Sequence, residues 1–133
     1  MTDREVLVTP GWEETYREWR VPTGFRADRT LYLSGHTGEY EDGTSPEDPR
    51  DQIRLAFEDL TRSLEAAGAT WADVVSATSY HVRLRDHADA FLEIHREFVQ
   101  DPCPAWTGVG VTELFPEGSI IEIAVTAVLP NEP

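Results

Sequence analysis

The sequence predicts an α+β domain built on a mixed sheet with two helices on one face. Three observations carry this. One long segment has helical periodicity, Val/Thr/Ser/Tyr-rich and near-continuous apolar stretches flank a second helical segment, and the order reads strand, helix, strand, helix, strand, strand. Two helices cover one sheet face only, so the other face must be buried elsewhere, and association of subunits is the simplest answer.

Residues 1–133 read as a single domain, with 1–30 an irregular N-terminal arm that includes a first strand. Trp12, Tyr16, Trp19, Val21 and Phe25 are scattered there among Gly11, Pro22 and Gly24, and a strand is expected near Tyr16 to Val21. Leu31-Tyr32-Leu33 is a short buried strand, stopped by a turn at Ser34-Gly35. Gly38 to Pro49 is a polar loop. Ile53, Ala56, Phe57, Leu60, Leu64 and Ala67 recur at steps of three and four, one apolar face of a helix from about Pro49 to Ala67. Proline in the first turn and Gly68 beyond the last fit its start and stop.

Val74 to Leu84 has strand composition. Asp86 is placed to cap a second helix running to about Gln100, ended by Asp101-Pro102-Cys103-Pro104. Trp106 to Leu114 and Ser119 to Leu129 read as two strands of an antiparallel hairpin around Pro116-Glu117-Gly118. In that hairpin Trp106 and Glu122 would lie roughly 17 to 20 Å apart within one chain.

Composition excludes several classes. Twenty-five acidic residues against eleven basic ones give a formal charge of −14, which disfavours nucleic acid and anionic membranes as partners. No run of about 18 apolar residues exists. Met1 to Pro10 carries Asp3, Arg4 and Glu5 without an apolar stretch, unlike a signal peptide. A single cysteine, Cys103, allows no internal disulfide, so a cytoplasmic location is expected, and with no base beside it Cys103 reads as structural. No metal-ligand spacing occurs, and Gly108-Val109-Gly110 lies within a strand rather than a phosphate loop, so no metal or cofactor is expected.

Glu122 is the most suggestive residue. A carboxylate inside an apolar strand must be paired, protonated or facing a cavity, and alternation points it away from Ile121 and Ile123. Partial desolvation would raise its pKa and suit it to general-base work. His95 on the second helix and His36 after Ser34-Gly35 are the candidate histidines. His81 reads more readily as hydrogen-bonded in its strand, and His87 as solvent-exposed.

Leu31-Tyr32-Leu33-Ser34-Gly35, Gln52 opening the first helix, Leu64-Glu65-Ala66-Ala67-Gly68-Ala69 with Asp73-Val74-Val75, Phe91 and Phe98, Pro104-Ala105 and Glu122 together resemble the YjgF/RidA family over about Thr30 to Leu129. The resemblance implies a chorismate-mutase-like fold and a homotrimer with small-molecule clefts between subunits. It also implies hydrolysis of enamines or imines such as 2-aminoacrylate. The family's proline-alanine-arginine stretch, whose arginine pairs with the substrate carboxylate, reads Pro104-Ala105-Trp106-Thr107 here. The cysteine often found two residues later is Gly108, the glutamine after Ser-Gly is His36, and the helix asparagine corresponds to His95. An indole offers one neutral donor and an apolar face in place of a bidentate cation.

The resulting expectation is a RidA-like enzyme acting on an enamine, imine or related unsaturated metabolite, but not a standard 2-aminoacrylate deaminase. Glu122, His95 and His36 would be catalytic, and Ser34, Gly35, Trp106 and Thr107 substrate-binding. Trp106 of one subunit would meet Glu122 of its neighbour. The competing class is a non-catalytic ligand-binding or protein-interaction trimer.

Overall fold

In the computed structural model, which describes residues 3–131, one mixed sheet carries the helices. The elements are β1 (Arg4–Leu7), α1 (Glu13–Trp19), β2 (Gly24–Ala27), β3 (Thr30–Leu33), β4 (His36–Thr37), α2 (Pro49–Ala66), a 3-10 turn (Trp71–Asp73), β5 (Val74–Val82), α3 (Leu84–Phe98), β6 (Ala105–Val111) and β7 (Ile121–Val128). The sheet order is β1-β2-β3-β7-β5-β6, with β4 also on β7. Only β5 and β6 are parallel; the other pairs are antiparallel.

The N-terminal arm is more regular than expected. It supplies β1, β2 and α1, and the segment read as a strand near Tyr16 to Val21 is mostly helix. That helix buries none of its residues, so it has no apolar stripe to betray it.

The hairpin of the last two strands is not formed. β5, α3 and β6 make a parallel crossover unit, and β7 pairs with β5 on its other edge. The connection from Val111 to Ile121 is too long for a tight hairpin turn. Trp106 lies beside Ala77 and Glu122 beside Tyr80, with β5 between them. Two strand spacings and three residues of offset put their Cα atoms roughly 14 Å apart.

Helix α2 begins as the sequence indicates. Pro49 occupies its first turn and the Asp48 side chain accepts from the Arg50 N–H. Gly68, just past its end, takes φ +87°, a conformation that favours glycine. Helix α3 starts earlier than expected, at Leu84 rather than after Asp86, and Arg83 precedes it in the left-handed region without a side-chain cap.

The helix-side face of the sheet holds the core. Leu31, Leu33, Ala77, Ile121, Ile123, Val125 and Ala127 meet Ile53, Ala56, Phe57, Leu60 and Leu64 of α2 and Phe91 and Ile94 of α3. A buried amide locks the loop ends to α2. Gln52 donates to the Pro46 carbonyl (3.1 Å) and the Gly118 carbonyl (2.8 Å), and accepts from the Ile120 N–H (2.8 Å).

On the opposite face, β7 presents Glu122, Ala124, Thr126 and Val128, all partly exposed, and β3 presents Tyr32 at 52% exposure. Neither α2 nor α3 covers this face. No helix among the described residues is long and apolar enough to cross a membrane.

Candidate functional site

Strands β3 and β4 are one strand interrupted at Ser34-Gly35, since both pair with β7. The interruption is a bulge rather than the stop expected from the sequence. It shifts side-chain alternation by one, as an inserted residue does. Leu33 points to the core, and so does His36.

The bulge brings Gly35 against Glu122. A Cβ at Gly35 would overlap the Glu122 carboxyl group, so this approach requires glycine. Thr37 and Tyr80 flank Glu122 as its register partners on β4 and β5. The Thr37 hydroxyl donates to one oxygen of Glu39, whose other oxygen is buried without a partner. Partial burial raises the pKa of Glu122, with no offsetting cation among the described residues. Glu39 is also raised, first by burial and further by the negative charges of Asp59 and Glu122. Asp59 is itself paired with Arg62. Gly35 and Glu122 are thus brought together on the face free of α2 and α3, with Ser34 next to Gly35 in the bulge.

His36 does not join them. It is 1% exposed, with both ring nitrogens bonded. Nδ1 lies 2.7 Å from the Ser34 carbonyl, which only accepts, so Nδ1 carries the proton. Nε2 then accepts from the Ser63 hydroxyl at 2.8 Å. Burial lowers its pKa to about 4, and the Trp12 ring lies beside it at 4.7 Å. This is a neutral core histidine, out of a ligand's reach, and the expectation of a catalytic role is corrected accordingly.

Trp106 shares its sheet face with Ala77 and Ser79 and turns toward the helices, away from Glu122. Its indole N–H donates to Ser79 Oγ at 2.9 Å, and Ser79 Oγ lies 2.7 Å from His81 Nε2. An indole only donates, so Ser79 Oγ accepts from Trp106 and shares a second hydrogen bond with His81 Nε2. The Trp106 ring meets His95 edge-on at 4.7 Å and Phe91 at 6.0 Å, and stacks near Trp71 at 6.4 Å. His95 is half-buried in this aromatic cluster, and burial lowers its pKa. Within one chain His95 and Trp106 therefore stand together, on the other side of the sheet from Glu122. Thr107 alternates to the open face, is exposed, and pairs in register with Thr78.

Sequence reasoning passed over three groups. Glu39 was hidden in a polar loop. Ser79 was one of several small residues in a strand. His87, read as solvent-exposed, is half-buried with Nε2 enclosed and unpartnered. Cys103 is exposed. Among the described residues no group of three or more His, Cys, Asp or Glu is arranged to hold a metal ion. Two surface hollows, of about 620 Å³ beside Gln52 and Arg83 and about 340 Å³ beside Trp71 and Phe98, include neither Glu122 nor Trp106.

Comparison with known proteins agrees with this architecture. The family described as endoribonuclease L-PSP matches residues 19–129. The RutC family protein YjgH of Escherichia coli K12 is 36% identical over 133 residues, covering 99% of this chain and all of that protein. A solved structure of YjgH superimposes with a TM-score of 0.88 at 35% identity, covering 98% of this chain and 99% of that one. A 2-iminobutanoate/2-iminopropanoate deaminase of Dermatophagoides farinae is 36% identical over 104 residues, 75% of this chain and 78% of that protein. Rv2704 of Mycobacterium tuberculosis, described as a member of the YjgF/YER057c/UK114 family, superimposes with a TM-score of 0.81 at 25% identity, over 95% of this chain and 99% of that one. On the extent of these matches and the shared fold, the chain belongs to the YjgF/RidA family.

Proposed function

We propose that this protein is a homotrimeric enzyme that hydrolyses or tautomerises an imine, an enamine or a related unsaturated metabolite in clefts between its subunits. The observation that carries the reading is Glu122: a half-buried carboxyl with a raised pKa, backed by a glycine, on the sheet face that α2 and α3 leave uncovered. A relative named as a 2-imino acid deaminase supports the reaction class. Glu122 would activate water or move a proton, while Ser34, the Gly35 backbone and Thr107 position the ligand on the open face. Trp106 and His95 stand on the other face of their own sheet, so in this reading they complete a neighbouring subunit's cleft.

The substrate is not 2-aminoacrylate. Its carboxylate needs a cation, and Trp106 stands where the family's arginine would be. Losing a charge-assisted partner costs a few kcal/mol, so turnover about a hundredfold or more below that of arginine-bearing relatives is expected. Coupling the protein to an enzyme that releases 2-aminoacrylate and following pyruvate measures this; a rate equal to that of those relatives would show that Trp106 does not matter. Light scattering at micromolar concentration should give three times the mass of one chain, and a stable monomer would remove the proposed cleft. Activity should emerge instead on imines or enamines without a carboxylate.

A further inference from the structure

The hollow of about 340 Å³ beside Trp71 lies where helices α2 and α3 both end. Its wall includes Glu65 from the last turn of α2, Trp71 from the 3-10 turn, Phe98 from the end of α3, and Asp101 just beyond. A volume of this size falls within the range of small-molecule sites. The aromatic part of the wall is fixed in place. The Trp71 indole N–H donates to Thr61 Oγ at 2.9 Å, and the Thr61 hydroxyl donates to the Phe57 carbonyl at 2.8 Å. The buried Phe57 ring backs both aromatics, 5.7 Å from Trp71 and stacked on Phe98 at 5.1 Å. Trp71 and Phe98 are nonetheless partly exposed, so they offer apolar surface to whatever enters.

The charges of this hollow are one-sided. A helix C-terminus carries partial negative charge and favours a cation. The last turn of α2 holds Glu65 instead, and no basic residue. Asp101, shortly past the end of α3, adds a second carboxylate. Among the described residues neither side chain belongs to an ion pair. The chain has no lysine, and no arginine or histidine is among the residues lining the hollow, His95 and Arg96 of the last turn of α3 included. A carboxylate at the negative end of a helix opposes folding unless a cation offsets it. A hard metal ion wants a fuller set of oxygen ligands, and no such group of three or more acidic, His or Cys side chains is found among the described residues.

We propose that this hollow is a binding site for a small molecule bearing an alkylated ammonium group. The Trp71 and Phe98 rings take its alkyl groups, and the ring faces attract its charge, the indole most strongly. Glu65 and Asp101 supply the counter-charge. A carboxylate ligand would be repelled by both acids, and an uncharged one would leave them uncompensated. The hollow includes neither Glu122 nor Trp106, so the site is independent of the reaction proposed above.

The test titrates the full-length protein with tetramethylammonium at constant ionic strength, and with tert-butanol, which is of similar size but uncharged. Tetramethylammonium should bind saturably and move the Trp71 indole N–H signal in nitrogen-correlated spectra, the signal that Trp71→Phe removes. tert-Butanol should bind about tenfold more weakly or less. Glu65→Gln combined with Asp101→Asn should weaken tetramethylammonium about tenfold, as the loss of two exposed ion pairs would. Both positions are exposed, so the fold is not at stake. Glu41→Gln combined with Glu47→Gln removes the same charge from the loop before α2 and should change nothing. That comparison tells a site from the general attraction of a cation to a chain of formal charge −14. If tert-butanol binds as tightly, if the two double variants weaken binding equally, or if the Trp71 signal shows no saturable shift, the site is wrong.

Discussion

Replacing Glu122 by Gln should lower turnover of the proposed imine or enamine substrate by a factor of about 10² to 10⁴, the range a positioned general base supplies. The amide has the carboxylate's shape, so Gly35 still fits against it and ligand affinity should persist. In the unmodified protein, activity should fall as pH drops, because protonating Glu122 removes the base. Burial raises its pKa, so the decline should set in above the ordinary carboxylate range. Glu39 and Asp59 are raised as well, so they too take up protons as the pH falls. The Glu122→Gln variant separates them, since its residual activity should lose the acid limb. Gly35→Ala offers an independent check, because the new methyl displaces the Glu122 carboxyl without demanding an unusual backbone conformation. Undiminished kcat in both variants would end the case for Glu122 as the base.

Acid should destabilise the fold through His36, by an amount that depends on this one ring. Its pKa is about 4 in the folded chain against 6.5 for an ordinary histidine. Between those values the unfolded chain takes up a proton that the folded chain refuses, so stability rises with pH across this window. At about 1.36 kcal/mol per unit, the full effect is about 3 kcal/mol lost between pH 6.5 and pH 4. The raised carboxyls Glu39, Asp59 and Glu122 act in the opposite sense, since they bind protons more readily when folded. Urea unfolding of the protein and of His36→Gln at pH 7 and pH 4.5 isolates the histidine. Glutamine keeps a donor for Ser34 and an acceptor for Ser63 but does not titrate, so its stability should fall less on acidification. Equal losses in the two proteins would place the acid sensitivity elsewhere.

Helix α2 and Glu122 could be read from the sequence for the same reason: each depends on a local period. Ile53 through Leu64 repeat with the helix turn, and Glu122 alternates with Ile121 and Ile123, and both readings give the observed faces. Alternation failed for His36 because the Ser34-Gly35 bulge resets it, and a bulge has no period of its own. The last two strands were misjoined because neighbours in sequence were taken for neighbours in space, whereas β6 closes a parallel crossover with β5. The Ser79–His81–Trp106 chain was invisible for a related reason. Its members come from two strands, 27 residues apart for the Ser79–Trp106 bond, and meet only through the parallel register. Helix α1 gave no signal because all its side chains face outward or partly so.

Gln52 ties together three stretches of chain through one side chain: the loop before α2, the turn after β6 and the first residues leading into β7. A local opening of any one of them strands a buried amide that has lost its partners, so opening one favours opening all. The Ile120 N–H, though it lies just outside β7, should therefore exchange with solvent at the pace of helix α2 rather than at that of a fraying strand end. The two loops, which also touch where Ser45 meets Glu117 and Gly118, are then one cooperative unit, and a substitution in Gly43–Pro49 should be felt at Gly118.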